Sequence, residues 1–139
     1  MMYWTDWGAI PKIEQAGMDG SARRTIVTGN LVWPNGLTID QATNRLFWVD
    51  AKLDKIEVSD LSGGNRQLIM SSAANYNIHP YGLAVYENML YWTDWSTKSI
   101  SSFNLSSGNQ QIIVNSLQKP MDIHVFDPAL MFSGILLIS

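Results

Sequence analysis

The sequence predicts an all-β fold, a partial β-propeller of about three four-stranded antiparallel blades. Three observations carry this. A tetrad recurs at fixed spacing: Tyr3-Trp4-Thr5-Asp6, Phe47-Trp48-Val49-Asp50 and Tyr91-Trp92-Thr93-Asp94, two steps of 44 residues each. No stretch keeps apolar residues at a 3.6 period for three turns, because Pro or Gly interrupts most windows long enough for a helix. What remains is a series of short runs rich in Val, Ile, Tyr, Phe and Trp, separated by turn residues.

Taken in order, the chain opens inside a blade, at its second strand, with the first tetrad. Ile13, Gly20, Arg23, Arg24 and the pair Ile26-Val27 follow, and the unit reaches Trp33-Pro34-Asn35-Gly36-Leu37. The first full set of strands is Gly36–Asp40, Arg45–Asp50, Lys55–Asp60 and Gln67–Met70. The second is Gly82–Tyr86, Met89–Asp94, Ser99–Asn104 and Gln111–Asn115, entered through His79-Pro80-Tyr81-Gly82-Leu83. Asp60–Asn65 and Ser106–Asn109 are hairpin turns in which Gly supplies a positive φ cheaply. A last Lys119-Pro120-Met121-Asp122-Ile123 repeats the proline signature. Four antiparallel strands per 44 residues make one propeller blade, whose two apolar faces are covered only by stacking on its neighbours. Leucine-rich units are shorter, kelch units longer, and WD40 units carry a different signature.

Composition narrows the function. The 139 residues carry nine Lys and Arg against twelve Asp and Glu, a net charge of −3, which argues against nonspecific binding to nucleic acid or anionic membrane. With no cysteine, thiol catalysis, cysteine-ligated metals and disulfides are excluded. No metal site or cofactor is indicated. His79 and His124 lack metal-ligand spacing, and there is no G-x-S-x-G elbow, G-x-G-x-x-G or P-loop, so no enzyme is indicated. The N-terminus lacks the pattern of a signal peptide, and the apolar run Leu130–Ile138 is about half the length of a membrane span.

The repeated residues have an architectural reading. Tyr3, Phe47 and Tyr91 alternate with Trp4, Trp48 and Trp92, so each tetrad offers one large ring to each side of its sheet. Asp6, Asp50 and Asp94 end their strands, where a carboxylate accepts N–H groups of the turn. The residues that break the repeat are the candidates for binding. Trp7 and Trp95 follow the tetrads where the middle unit has Ala51; each either packs on a neighbouring loop or stands on the open face as an anchor. Trp33, Asn35 and Tyr81, beside their prolines, raise the same question, Asn35 having an equal reading as a turn residue. Lys12, Lys52, Lys55 and Lys98 give the same rim some positive charge.

YWTDWGAIPKIEQAGMDGSARRTIV, WPNGLTIDQATNRLFWVDAKLDKIE, HPYGLAVYENMLYWTDWSTKSI and KPMDIHVFDP together resemble the YWTD (class B) repeats of the low-density lipoprotein receptor family. The resemblance covers residues 2–128 and is nearest to the first propeller of the Wnt co-receptor and agrin-receptor branch. It implies a six-bladed extracellular propeller, of which residues 1–128 would be a fragment with units at about 3–46, 47–90 and 91–128, and residues 129–139 a divergent apolar tail. Six units would need about 264 residues.

The resemblance further implies an extracellular ligand-recognition module of a receptor-related protein, held at the plasma membrane through parts of the parent receptor. Its ligand face would use Trp33, Asn35, Lys52, Tyr81 and Trp95 to take Asn-x-Ile-like segments of secreted proteins, Wnt antagonists or agrin-like ligands. An incomplete structural or trafficking fragment without ligand binding is the alternative. Asn104-Leu105-Ser106 is the one N-x-S/T sequon with a permitted middle residue, a glycosylation candidate in a secretory pathway. Half a ring leaves two apolar faces uncovered, so aggregation or pairing of two halves is expected of the isolated chain.

Overall fold

The computed structural model describes residues 1–128. The expected apolar tail, residues 129–139, lies outside them. Three antiparallel sheets stack in chain order. The first has three strands, β1 (Met2–Asp6), β2 (Lys12–Ala16) and β3 (Arg24–Thr28), in the order β1-β2-β3. The second is β4 (Pro34–Asp40), β5 (Arg45–Asp50), β6 (Lys55–Asp60) and β7 (Gln67–Ser71), and the third β8 (Pro80–Tyr86), β9 (Met89–Asp94), β10 (Ser99–Asn104) and β11 (Gln110–Val114), both in simple meander order. The helical element lying wholly within the described residues is one three-residue 3-10 turn, Ser72–Ala74.

The strands match the sequence reading closely. The two inner strands, however, begin at Pro34 and Pro80, two residues earlier than expected. Each starts with one pair to the end of the tetrad strand, Pro34↔Asp50 and Pro80↔Asp94, and then shifts register before Leu37↔Trp48 and Leu83↔Trp92. Proline is tolerated there because it is the first residue of the strand. The turn glycines Gly20, Gly63 and Gly108 have φ of 83°, 89° and 74°.

The alternation of the tetrads divides the core between two seams. Trp48 faces back onto Ile13, Val27 and Leu31 of the first blade, while Phe47 and Val49 face forward onto Leu83, Leu90 and Trp92. Trp48, Phe47 and Trp92 are fully buried. Each such ring contributes on the order of 150–250 Å² of buried area, so the blades are held by side chains that the tetrad period places on opposite faces.

Adjacent inner strands run backbone against backbone. A Cβ at Gly36 would stand 2.7 Å from both Tyr81 O and Leu83 N, and one at Gly82 would stand 2.5 Å from Met121 O. Only glycine permits that approach. Threonine hydroxyls stitch the same line: Thr5 Oγ1 donates to Asn35 O at 3.0 Å, and Thr93 Oγ1 donates to Met121 O at 2.7 Å.

Candidate functional site

The antiparallel pairing brings the start of each inner strand and the end of each tetrad strand to the same rim. There the aspartates hold the loops. Asp50, fully buried, accepts four backbone N–H bonds, from Val32 (2.7 Å), Trp33 (3.2 Å), Lys52 (3.0 Å) and Leu53 (3.0 Å). Asp94 does the same work from His79 (3.0 Å), Ser96 (2.9 Å) and Thr97 (3.0 Å), and also takes the Trp92 indole N–H at 2.9 Å. Each carboxylate thus fixes both loops that carry the rim's aromatic rings, and a carboxylate satisfied by several N–H groups tolerates full burial.

Four of the five residues singled out for the ligand face, Trp33, Asn35, Tyr81 and Trp95, line one open pocket of about 180 Å³ together with Trp7, Ala51 and His79. Tyr81 and Trp95 stack with centroids 4.6 Å apart and planes 6° from parallel. Trp7 meets Trp33 at 5.9 Å across the other wall. Lys52 is the fifth; it stands beside the pocket with its ammonium 5.3 Å from the Trp33 ring centroid, a cation–π distance. Lys119 sits likewise 5.8 Å from Trp95.

Trp95 packs on a neighbouring loop, its N–H donating to Pro120 O at 2.7 Å, while its ring lines the pocket. Trp7 is 59% and Trp33 43% exposed, far more than the blade rings. The Asn35 backbone carbonyl is engaged by Thr5, but its side-chain amide has no hydrogen-bond partner among the described residues. The pocket is therefore apolar-walled, with one uncommitted amide in it and lysines at its edge.

Sequence reasoning left His79 out of the site. It precedes Pro80 as Trp33 precedes Pro34, so the repeat itself carried the signal. Its ring lies 5.9 Å from Trp95, and its Nδ1 is 2.6 Å from Asp54 Oδ1. The positive rim needs correction. Lys55 is buried among Glu57 (3.0 Å) and Asn30 O (2.8 Å), and Lys12 lies near Glu14 (3.7 Å) and Asp6 (3.9 Å), because the strand that follows the tetrad turns both lysines along the sheet toward buried carboxylates.

The opposite rim holds a wider cavity of about 640 Å³, near Asp40, Arg45, Tyr86 and Asp127. Its polar groups serve one another: Arg45 pairs with Asp40 at 3.3 Å and Tyr86 donates to Asp127 at 2.6 Å. That hydrogen bond to a carboxylate pushes the Tyr86 phenol up to about 12.

Asn104 stands at the end of β10 before the exposed turn. Its Oδ1 accepts from Ser106 N and Ser107 N, both at 2.9 Å. No group of three or more His, Cys, Asp or Glu with metal-binding geometry occurs among the described residues, nor a helix long and apolar enough to cross a membrane.

Comparison with known proteins agrees with this architecture. The chain matches the low-density lipoprotein receptor repeat class B over residues 1–41, 44–87 and 88–126. It is 43% identical over 88 residues to the vitellogenin receptor Yl of Drosophila melanogaster, covering 63% of this chain and 4% of that protein. It is 41% identical over 70 residues to the human low-density lipoprotein receptor-related protein 5-like protein, covering 50% of this chain and 28% of that one. The chain therefore spans only a small part of the curated relatives it matches. Among solved structures, a chain of the nidogen/laminin complex superposes with a TM-score of 0.78 at 32% identity, covering 88% of this chain and 46% of that one. A gluconolactonase from Xanthomonas campestris, at 19% identity and a TM-score of 0.67, shares the propeller fold alone.

Proposed function

We propose that this chain, which belongs to the low-density lipoprotein receptor class B repeat family, serves as part of the extracellular ligand-recognition propeller of a receptor-related protein and binds secreted protein ligands through the aromatic rim. The observation that carries the proposal is the pocket itself. Residues not required by the blade, drawn from the starts of the inner strands and the loops around them, converge around a free Asn35 amide. An exposed cluster of Trp and Tyr at a rigid rim is the composition of a protein-binding hot spot.

The chemistry selects the ligand. The Asn35 amide offers a donor and an acceptor, which suits a side-chain amide or an extended backbone. The stacked Tyr81–Trp95 pair and Trp33 offer an apolar slot for an aliphatic side chain. A short Asn-x-Ile-like segment supplies both groups, and in the Wnt and agrin-receptor branch such segments belong to secreted antagonists and agrin-like ligands. The structural likeness to a chain of the nidogen/laminin complex, a protein–protein assembly, supports a protein ligand. Placed at the outer face of a plasma membrane within its parent, the chain also carries a reachable glycosylation sequon at Asn104.

Binding of an immobilised Asn-x-Ile peptide to the chain, and to its Asn35→Ala and Trp95→Ala variants, tests this. Wild-type binding should fall by about 1–3 kcal/mol for N35A, the cost of leaving a buried polar partner unpaired, and further for W95A. Equal binding by all three, or none by the wild type, favours the structural fragment without ligand binding.

A further inference from the structure

The residue after each tetrad is Trp7, Ala51 or Trp95, at the same step of 44 residues. Ala51 N donates to Trp33 O at 3.0 Å, and Trp95 N donates to His79 O at 3.1 Å. Each bond ties the residue after the tetrad to the residue before the proline of the same blade. Ala51 and Trp95 therefore start their side chains from equivalent points of the backbone.

Trp95 shows what a ring does at that point. It stacks on Tyr81, the residue after Pro80, with centroids 4.6 Å apart, and lies 5.9 Å from the His79 ring. Its N–H reaches forward to Pro120 O at 2.7 Å. The indole thus fills the slot between one proline entrance and the next. Trp7 also reaches forward, onto Trp33 at 5.9 Å.

The slot between these two holds no ring. Placed on Ala51, the Trp95 arrangement would lay an indole over Asn35 and beside Trp33, with its N–H aimed at Pro80 O. In this chain the Asn35 amide has no hydrogen-bond partner, and Pro80 O receives no side-chain donor, among the described residues. The pocket of about 180 Å³ lies there, and Ala51 is its one buried lining residue, 3% exposed. An apolar void of about 150 Å³ holds a benzene-sized group, so this one takes a single branched aliphatic side chain or ring.

We propose that the pocket is the vacant place of a repeat indole, opened by Ala51, and that Ala51 sets the size of the one ligand side chain that enters it. The proposal rests on the reading of this rim as a protein-binding site and names the residue that decides what fits. At the other two tetrads the chain's own tryptophan takes the position. At the middle one the partner supplies what the blade omits: an apolar group against Trp33 and the Tyr81–Trp95 pair, with polar atoms for Asn35 and Pro80 O.

The test compares the full chain with its Ala51→Trp and Ala51→Val variants, using Asn-x-Ile and Asn-x-Ala peptides that differ only in the entering residue. In A51W the new indole should occupy the slot, so its N–H should exchange at least about tenfold more slowly than that of exposed Trp7. Binding of the Asn-x-Ile peptide by A51W should fall at least about 100-fold, the larger end of what an apolar pocket discriminates. Valine adds two carbons at the pocket floor. A51V should therefore bind Asn-x-Ile about tenfold more weakly and Asn-x-Ala within about twofold of the wild type. Full-strength Asn-x-Ile binding by A51W, or equal weakening of both peptides by A51V, overturns the proposal. So does a folded A51W whose added indole N–H exchanges as fast as that of Trp7. If A51W buries its ring and the wild type binds neither peptide, the vacant place stands and the reading of the rim as a ligand site falls. A51V decides the matter should A51W not fold.

Discussion

The second and third blades share a backbone plan and differ in how they fill its polar interior. In the second, Glu57 is buried between Lys55 (3.0 Å) and Arg66 (2.8 Å), and Arg66 reaches across to the first blade's carbonyls. The first blade builds the same group from Lys12, Glu14 and Arg23, whose hydrogen bond holds the Glu14 carboxyl below its ordinary range. In the third blade the corresponding positions are Ser99, Ser101 and Gln110, and a hydroxyl chain Thr97–Ser99–Ser101 at 2.6 and 2.9 Å replaces the ions. The indoles differ in the opposite sense: Trp92 Nε1 donates to Asp94, while the buried Trp48 Nε1 has no partner among the described residues. Apolar rings and glycines at fixed spacing make the blade. The polar groups between them are interchangeable, provided that each set is internally satisfied.

The largest test of that difference is Glu57→Ala. Removing the carboxylate strands a buried lysine, so urea unfolding should show a loss of about 3–5 kcal/mol. Its counterpart Ser101→Ala should lose only about 1 kcal/mol, the net worth of an ordinary hydrogen bond. Equal losses would mean that the ion group carries no special weight.

The next effect separates the two tryptophans. Trp92→Phe removes the bond to a fully buried aspartate, whereas Trp48→Phe removes an N–H that already lacks a partner. Both lose ring area, but W92F should be the more destabilising by about 1–2 kcal/mol, read from the shift in the denaturant midpoint at unchanged slope.

The smallest effect compares the turns at Asp60 and Asn104, which are equivalent in the repeat. Asp60 Oδ1 accepts from Ser62 Oγ, Ser62 N and Gly64 N, and these bonds, the Ser62 hydroxyl foremost, hold its carboxyl below the ordinary 3.8. Stability from that turn is present above the ordinary value and is lost as pH falls through the lowered folded one. Asn104 makes the matching turn without titrating. Stability followed from pH 6 to pH 2 should therefore fall less steeply in Asp60→Asn than in the wild type. Identical profiles would show that the Asp60 bonds do not persist in solution.

Much of this molecule was legible in its sequence because propeller blades are built from local pairings. Adjacent strands are joined by short turns, so the period of the tetrads, the alternation within them and the turn glycines were enough to place eight strands to within two residues. The same periodicity made Trp33, Asn35, Tyr81 and Trp95 conspicuous as departures from it. What the sequence alone determined was which residues face each seam. Only the tertiary structure decided which polar atoms find each other: within one strand, that Lys55 turns inward to Glu57 and that Trp92 Nε1 reaches Asp94 while Trp48 Nε1 goes unpaired; between blades, that Arg66 reaches the carbonyls of Thr28, Gly29 and Asn30 and that His79 joins the pocket. The physical reason is precision. Strand faces are set by a two-residue alternation that every short window contains, whereas hydrogen-bond partners are set by angstrom-level distances and angles, whether the partners share a strand or lie in different blades, which no local pattern records.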